Sequence, residues 1–238
     1  MMKEIYEQSI CGKDAVSVDN IHIKSPIPCP MQDVICLGIN YAEHAKESEK
    51  FDKEAFGGER PKAIYFSKRV NESPADGDDI CGHFDIVESL DYEAELGVII
   101  GKDAKDVPLE DVKNYIFGYT VINDISARNI QTAHKQWYFG KSLDGFTPMG
   151  PCILTADEVE YPPVLKITAK VNGELRQNST TDLLITDIDH IVHELSKGIT
   201  LKAGTIIATG TPSGVGMGMN PPCFLKDGDI VECKIEKI

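Results

Sequence analysis

Short apolar runs of strand length, separated by turn residues, recur along the sequence and constrain its fold more than any other feature. Residues 34–39 and 96–100 are continuously apolar, whereas residues 167–171 and 230–235 alternate apolar with polar side chains, as half-buried strands do. Asn172-Gly173, directly after one of these runs, is a strong signal for a hairpin turn. Because the runs do not alternate regularly with long helices, the pattern argues against a doubly wound sheet or a TIM barrel and predicts a strand-rich α+β fold.

Three short helices are predicted between the strands. Residues 42–50 and 126–136 are polar candidates. The clearest helix begins at Thr186, which suits an N-cap because Asp189 follows three residues later, and it ends at Gly198. Its apolar residues share one face, as in a helix that packs on a core: Ile188, Ile191, Val192 and Leu195.

The domain organisation predicted from the 238 residues is a short leading segment and one larger domain. Residues 1–30 form the leading segment, which ends in the proline-rich stretch 25–30. Residues 31–238 contain neither an internal repeat nor a low-complexity linker, and we expect them to form a single catalytic domain.

The charge of the chain excludes some classes of partner. With 38 acidic and 24 basic residues, its formal net charge is -14, so it would repel the phosphates of nucleic acids and of anionic membranes. No stretch approaches the ~20 apolar residues that span a bilayer, and the N-terminal residues do not resemble a signal peptide. The seven cysteines are scattered and form no CxxC pair. These features predict a cytoplasmic protein with reduced thiols and with no nucleic-acid or membrane partner.

An acidic segment at residues 89–100 is the first candidate for a functional site. If it is a strand, its period of two places Asp91, Glu93 and Glu95 on one face. Three neighbouring carboxylates repel one another unless a positive charge lies among them, and a hard cation such as Mg²⁺ prefers oxygen ligands. A solvated strand edge decorated with charges would explain the same pattern.

Asp124 decides between these two interpretations. It ends the apolar run 119–123, where a buried charge needs a partner. The six histidines show no HExxH spacing that would favour zinc. We therefore expect a cation among these carboxylates.

Candidate catalytic side chains occur elsewhere in the chain. His44 and Glu47 are three residues apart, so a helix would place them on one face, where the carboxylate orients the imidazole as a general base. A surface helix that contains the same residues is the plain alternative. Lys141, among aromatic and glycine residues, could bind a substrate carboxylate or be a surface lysine. The glycine-rich turn 208–216 lacks the GK[ST] ending of a P-loop, but its backbone and Thr211 could hold an anion.

Together these segments resemble the fumarylacetoacetate hydrolase family over residues 34–238. The resemblance rests on five motifs that appear in family order at compatible spacings: Leu37-Gly38-Ile39-Asn40-Tyr41, Asp91-Tyr92-Glu93-Ala94-Glu95, Tyr119-Thr120-Val121-Ile122-Asn123-Asp124, Lys141-Ser142-Leu143-Asp144 and Thr209-Gly210-Thr211-Pro212.

The resemblance implies a fold and a metal. The fold would be a roll of mixed β-sheets with a few short helices, of the family's C-terminal domain type, and two copies would form a homodimer. Glu93, Glu95 and Asp124 would bind Mg²⁺ or Mn²⁺. The short leading segment is similar to that of the small prokaryotic-type subgroup of acylpyruvases, isomerases and decarboxylases.

The resemblance also implies roles for individual side chains. His44 and Glu47 match the family's catalytic pair on a flexible lid, and Lys141 matches its active-site lysine. Three more residues match positions that line the pocket and contact the substrate or its carboxylate: Arg128, Gln131 and Thr211.

The activity expected from these residues is hydrolysis of a C–C bond in a small 2-oxo acid of the acylpyruvate type, through an enolate that the cation stabilises. The hydrolase is favoured because His44 and Glu47 offer a base that could activate water. The main alternative is a decarboxylase or an isomerase (tautomerase) of 2-oxo diacids, such as oxaloacetate or 2-hydroxyhepta-2,4-diene-1,7-dioate. A second alternative is a protein that binds a metal and an oxo acid without catalysis.

Overall fold

The computed structural model describes residues 21–58 and 62–238, and in this part of the chain eleven strands form three sheets. The strands are: β1 Val34–Gly38, β2 Ile64–Lys68, β3 Leu90–Asp91, β4 Ala94–Ile100, β5 Ile116–Asn123, β6 Ser126–Ala127, β7 Met149–Thr155, β8 Lys166–Val171, β9 Glu174–Thr180, β10 Ile206–Ala208 and β11 Val231–Ile235.

A six-stranded sheet in the order β2-β1-β10-β4-β5-β7 forms the centre of the fold. β1 and β10 run parallel, and every other neighbouring pair in this sheet is antiparallel. All seven residues of β4 are buried, because strands and other elements cover both of its faces. This burial explains why β4 reads as a nearly continuous apolar run. The mixed sheet confirms the predicted strand-rich α+β fold.

A three-stranded antiparallel sheet in the order β11-β8-β9 packs beside the central sheet. Its apolar positions Ile167, Ala169 and Ile235 are buried in the main core. β8 and β9 are joined at Asn172-Gly173, where both residues have positive φ angles of 51° and 82°. A two-residue hairpin turn with both residues in the left-handed region suits Asn-Gly, so the predicted hairpin is confirmed.

Five α-helices connect these strands in the described residues. They are: α1 Ala42–Phe51, α2 Lys53–Phe56, α3 Arg128–Ala133, α4 Tyr138–Lys141 and α5 Ile188–Gly198. α5 packs its apolar stripe onto the core, as its sequence predicted, and α1 follows β1 directly.

Two details of the predicted helices were wrong. The N-cap of α5 is Asp187, whose side chain accepts a hydrogen bond from the backbone N–H of His190 at 2.8 Å. Thr186 lies one residue earlier, where its N–H donates to the side chain of Asn40. The helix predicted over 126–136 is shorter, because Ser126–Ala127 pairs with Leu90–Asp91 as strand β6.

The predicted leading segment, residues 1–30, lies mostly outside the described residues. Its described part, residues 21–30, contains no helix or strand. Within the described ranges, none of the helices has the length and apolar character to cross a bilayer.

Candidate active site

Three buried carboxylates converge beside the central sheet. Carboxylate oxygens of Glu93, Glu95 and Asp124 lie within 4.8 Å of one another. Glu95 belongs to β4, Glu93 immediately precedes that strand, and Asp124 follows β5. The antiparallel register pairs Ala94 with Asn123, and the N–H of Asp124 donates to the carbonyl of Glu93 at 2.8 Å. Pairing of β4 with β5 therefore brings the three side chains together.

Asp91 does not share a strand face with Glu93 and Glu95, so that part of the prediction was wrong. The strand is interrupted at residues 92–93, where the N–H of Glu93 donates to the side chain of Asn123 at 3.1 Å. Asp91 instead accepts hydrogen bonds from Arg128 Nε at 2.9 Å and from two backbone N–H groups of residues 216–217. All the carboxylates of this segment are buried, which rules out a solvated strand edge.

Two buried lysines contact the carboxylates. Lys141 Nζ lies 2.9 Å from Glu93 Oε2 and 2.7 Å from Asp124 Oδ2. Lys68 Nζ binds Asp124 Oδ1 and donates to the carbonyls of Ile125 and Phe146 at 3.0 and 2.8 Å. The sequence prediction did not include Lys68. Its position at the end of the apolar strand β2 nevertheless indicates a buried lysine, which needs a charged partner.

The charges are unevenly balanced around the carboxylates. Burial alone would raise the pKa of Glu93, but Lys141 and Arg128 outweigh this effect and hold its pKa below the usual range. Burial, with the negative charges of Asp124 and Glu93, raises the pKa of Glu95 well above its usual value. Within residues 21–58 and 62–238, the hydrogen bond that the Glu95 side chain receives is from the backbone N–H of Gly210, at 2.9 Å.

This donor set fits a hard divalent cation. Its ligands are carboxylate oxygens only, they are buried, and they converge within the span of one coordination sphere. The four carboxylates of residues 91, 93, 95 and 124 face three cationic side chains of residues 68, 128 and 141, so one negative charge is left over. A bound cation would relieve the repulsion that raises the pKa of Glu95.

His44 and Glu47 lie together on α1, beside the same cleft. His44 Nδ1 is 2.8 Å from Glu47 Oε1, and the imidazole is buried and lines the cleft. Glu47 also accepts the N–H of Gly214 at 3.0 Å. The structure thus places the predicted pair on one helix face, with the carboxylate held by a second element.

The three remaining predicted residues line the cleft. Arg128 Nη2 is 2.6 Å from Glu93 Oε1, and its Nη1 donates to Gln131 Oε1 at 3.0 Å. Thr211 donates to the carbonyl of Ala94 at 2.9 Å. It accepts a hydrogen bond from Gln177 Nε2 at 2.7 Å. Gln177 was not anticipated, because a glutamine within the polar strand β9 gives no sign of its role.

The cleft is narrow and partly open, with about 280 Å³ of space free of protein atoms when the adjoining solvent is included. Seven of the nine predicted site residues line it, and Glu47 and Asp124 lie behind this lining. Six apolar side chains also line it and form its apolar wall: Leu37, Ile39, Phe56, Phe66, Trp137 and Met217. The cleft therefore offers charged groups that suit a small anion together with apolar contacts.

Comparison with known proteins identifies the family. The family described as fumarylacetoacetate (FAA) hydrolase C-terminal matches residues 33–238. The chain is 43% identical over 227 residues to the oxaloacetate tautomerase YisK of Bacillus subtilis (strain 168). This alignment covers 95% of this chain and 74% of the relative.

Two solved structures show the same fold. The fumarylacetoacetate hydrolase from psychrophilic Exiguobacterium antarcticum superposes with a TM-score of 0.79 at 41% identity, over 95% of this chain and 81% of that chain. The fumarylpyruvate hydrolase from Pseudomonas aeruginosa, in complex with Mn²⁺ and pyruvate, superposes with a TM-score of 0.73 at 29% identity, over 91% of this chain and 94% of that chain. This chain belongs to the fumarylacetoacetate hydrolase family and is an enzyme of that superfamily.

Proposed function

We propose that this chain is a divalent-metal-dependent hydrolase that cleaves a C–C bond in a small acylpyruvate-type 2-oxo acid. The observation that carries the proposal is the single cleft in which His44 faces the carboxylates of residues 93 and 95. An acid–base group and a cation site on one small cavity are the two components that such a reaction needs.

The cation would be held by Glu93, Glu95 and Asp124. When bound, Mg²⁺ or Mn²⁺ supplies Lewis-acid stabilisation of negative charge on the keto oxygen of the substrate. The relative that contains Mn²⁺ and pyruvate supports both the metal and the substrate class.

The chain's own side chains would bind and orient the substrate. Lys141, Arg128, Gln131 and Thr211 line the cleft, where the two cationic side chains would neutralise the carboxylate of a 2-oxo acid. The apolar wall suits a short acyl group better than a second carboxylate, because an unpaired carboxylate there would lose its hydration. This lining favours an acylpyruvate over a diacid.

His44 would move the proton. Its Nδ1 faces Glu47, which fixes the orientation of the ring, so that Nε2, 3.5 Å from Ser48 Oγ, is the ring nitrogen left for the cleft. From that position the imidazole could take a proton from water that attacks the distal carbonyl, and later return it to the leaving carbon.

Tautomerisation of a 2-oxo diacid such as oxaloacetate is the second candidate, and the 43% identity to an oxaloacetate tautomerase favours it. It needs the same cation and the same base but no attack by water. Decarboxylation of oxaloacetate would use the same cation chemistry.

An assay with acetylpyruvate and oxaloacetate, each with Mg²⁺ and with Mn²⁺, tests these candidates. Hydrolysis releases pyruvate and acetate, decarboxylation releases carbon dioxide, and tautomerisation changes only the enol absorbance. Enol–keto exchange of oxaloacetate without pyruvate release from either substrate would replace the hydrolase by the tautomerase. Tight binding of oxalate without turnover of any 2-oxo acid would favour the non-catalytic binding protein.

We further propose a cytoplasmic homodimer. Among the described residues, β7 is an edge strand of the central sheet, and its Pro151 and Cys152 are exposed. Such an apolar edge is commonly covered by another chain. Light scattering on the purified protein is expected to give twice the mass of the 26.2 kDa chain, and a monomer at micromolar concentration would contradict the dimer.

A further inference from the structure

The turn at residues 214–218 contacts the carboxylate of Glu47. The N–H of Gly214 donates to both oxygens of this carboxylate, at 3.2 and 3.0 Å, and Oε1 also contacts His44. Glu47 is thus shared between its own helix and the turn. The turn's residues 214–216 belong to the glycine-rich turn 208–216, for which the sequence predicted anion binding and not a contact with Glu47.

Gly218 allows a close approach to the same carboxylate. A Cβ built on Gly218 would lie 2.2 Å from Glu47 Oε2 and 2.5 Å from its Cδ, closer than any real contact. Gly218 has no positive φ angle, so its need for glycine comes from space and not from backbone conformation. Around this contact, Val215 and Met217 of the turn are buried in a cluster with Ile39.

Asp91 holds the opposite side of the turn. The N–H groups of Gly216 and Met217 donate to Oδ1 and Oδ2 of Asp91 at 2.7 and 3.0 Å. Asp91 pairs with Arg128, and the guanidinium of Arg128 reaches Glu93. A continuous set of polar contacts, buried except at the half-buried Gly214, therefore runs from a carboxylate of the candidate metal site, through Asp91 and the turn, to Glu47.

We propose that the turn 214–218 is a cradle that sets the position of Glu47, and through it His44, relative to the carboxylate site. Gly218 is a positioning residue, because its missing side chain leaves the space that the carboxylate of Glu47 occupies. Asp91 is a second positioning residue, because it fixes the cradle against Arg128. The inference rests on the proposed function in one respect, the role of His44 and Glu47 as the acid–base pair.

Gly218→Ala tests the cradle directly, with Gly198→Ala as its matched control. A Cβ at Gly198 meets nothing within 4 Å, so that variant should behave as the parent. Hydrogen exchange of the backbone amides in α1 is the first measurement and needs no substrate. We expect Gly218→Ala to speed this exchange about five- to tenfold, the effect of losing one hydrogen bond from a local opening reaction.

Steady-state kinetics is the second measurement. Gly218→Ala should lower kcat roughly 10- to 100-fold, the cost of misplacing a catalytic group by about 1 Å, while KM changes less than about threefold. In a Glu47→Ala background the same substitution should add no further loss, because the carboxylate that it would displace is gone. Asp91→Asn, whose parent carboxylate has its hydrogen bonds from Arg128, Gly216 and Met217, should reproduce both effects in a chain that keeps glycine at position 218.

The measurements test the cradle and the proposed function separately. Unchanged exchange of α1 in both Gly218→Ala and Asp91→Asn would overturn the cradle, whether or not any substrate is turned over. An equal further loss of kcat in the Glu47→Ala background would also overturn it, since the damage would then bypass Glu47. Faster exchange in a protein that turns over no 2-oxo acid would support the cradle and contradict the proposed function.

Discussion

The ammonium group of Lys68 is bonded to Oδ1 of Asp124, and neither side chain has any exposed surface. Its other two hydrogen bonds go to backbone carbonyls, so Lys68 has no free donor for a ligand. Lys141 contacts the other oxygen of Asp124 from the cleft side. One lysine is therefore a structural support of the site, and the other lines the cleft.

Replacing Lys68 by Met should destabilise the fold strongly. The change leaves Asp124 with a buried oxygen that has lost its charged partner, and breaking a buried pair in this way costs about 3–5 kcal/mol. Urea unfolding measures this loss. Lys202→Met, which removes an exposed pair with Asp103, is the control and should cost less than about 1 kcal/mol. Equal effects of the two substitutions would contradict the structural role of Lys68.

Glu95→Gln should abolish metal binding without weakening the metal-free fold. Burial and the neighbouring charges of Asp124 and Glu93 raise the pKa of Glu95, so its ionised form at neutral pH opposes folding. Neutral glutamine removes that opposition and can keep the hydrogen bond from Gly210. Calorimetric titration with Mn²⁺ and thermal unfolding are the measurements, with exposed Glu232→Gln as the control. A variant that retains both metal binding and activity would remove Glu95 from the site.

His44→Ala should lower kcat by ~10²–10⁴-fold, the usual contribution of general acid–base catalysis. Metal affinity should stay within about threefold of the parent, because His44 is not one of the converging carboxylates. The variant His190→Ala, which removes an exposed imidazole on α5, is expected to leave both quantities unchanged. Normal turnover in the absence of His44 would assign the base to another residue.

Lys141→Met should weaken the binding of oxalate or pyruvate more than that of the metal. The positive charge of Lys141 opposes a cation at Glu93 and Asp124 but attracts an anionic ligand at the same place. We therefore expect the Kd for oxalate to rise at least about tenfold, while the Kd for Mn²⁺ stays the same or falls. The reverse pattern would show that Lys141 supports the metal and does not bind the substrate.

The sequence predicted the converging carboxylates because their positions depend on local rules. Glu95 lies in a strand with a period of two, and Asp124 follows an apolar strand. The pairing of β4 with β5 then brings the carboxylates of these strands together. Asp91 was placed on the wrong face because the backbone of Glu93 bonds to the side chain of Asn123, 30 residues away, and this contact helps to interrupt the strand. The period-two pattern of a strand carries no information about a contact between residues so far apart in sequence.

The support from Lys68 and the contact between Glu47 and the turn escaped prediction for a related reason. Lys68 and Asp124 are 56 residues apart, and Glu47 and Gly214 are 167 residues apart. Neither contact has a spacing that belongs to a helix or a strand. A sequence motif can identify one residue of such a pair, but the other residue is identified only from the tertiary structure.

The parallel pairing of β1 with β10 has a consequence for how the enzyme matures. Because the two strands run in the same direction, α1 and the turn that follows β10 leave the sheet at the same end, where Asn40 donates to the carbonyl of Thr209 across 169 residues of chain. Closing so long a loop is entropically costly and slows folding. A ribosome must therefore release the chain through β10 before the two halves of the active centre can meet, and a nascent chain that ends before β10 is expected to be inert.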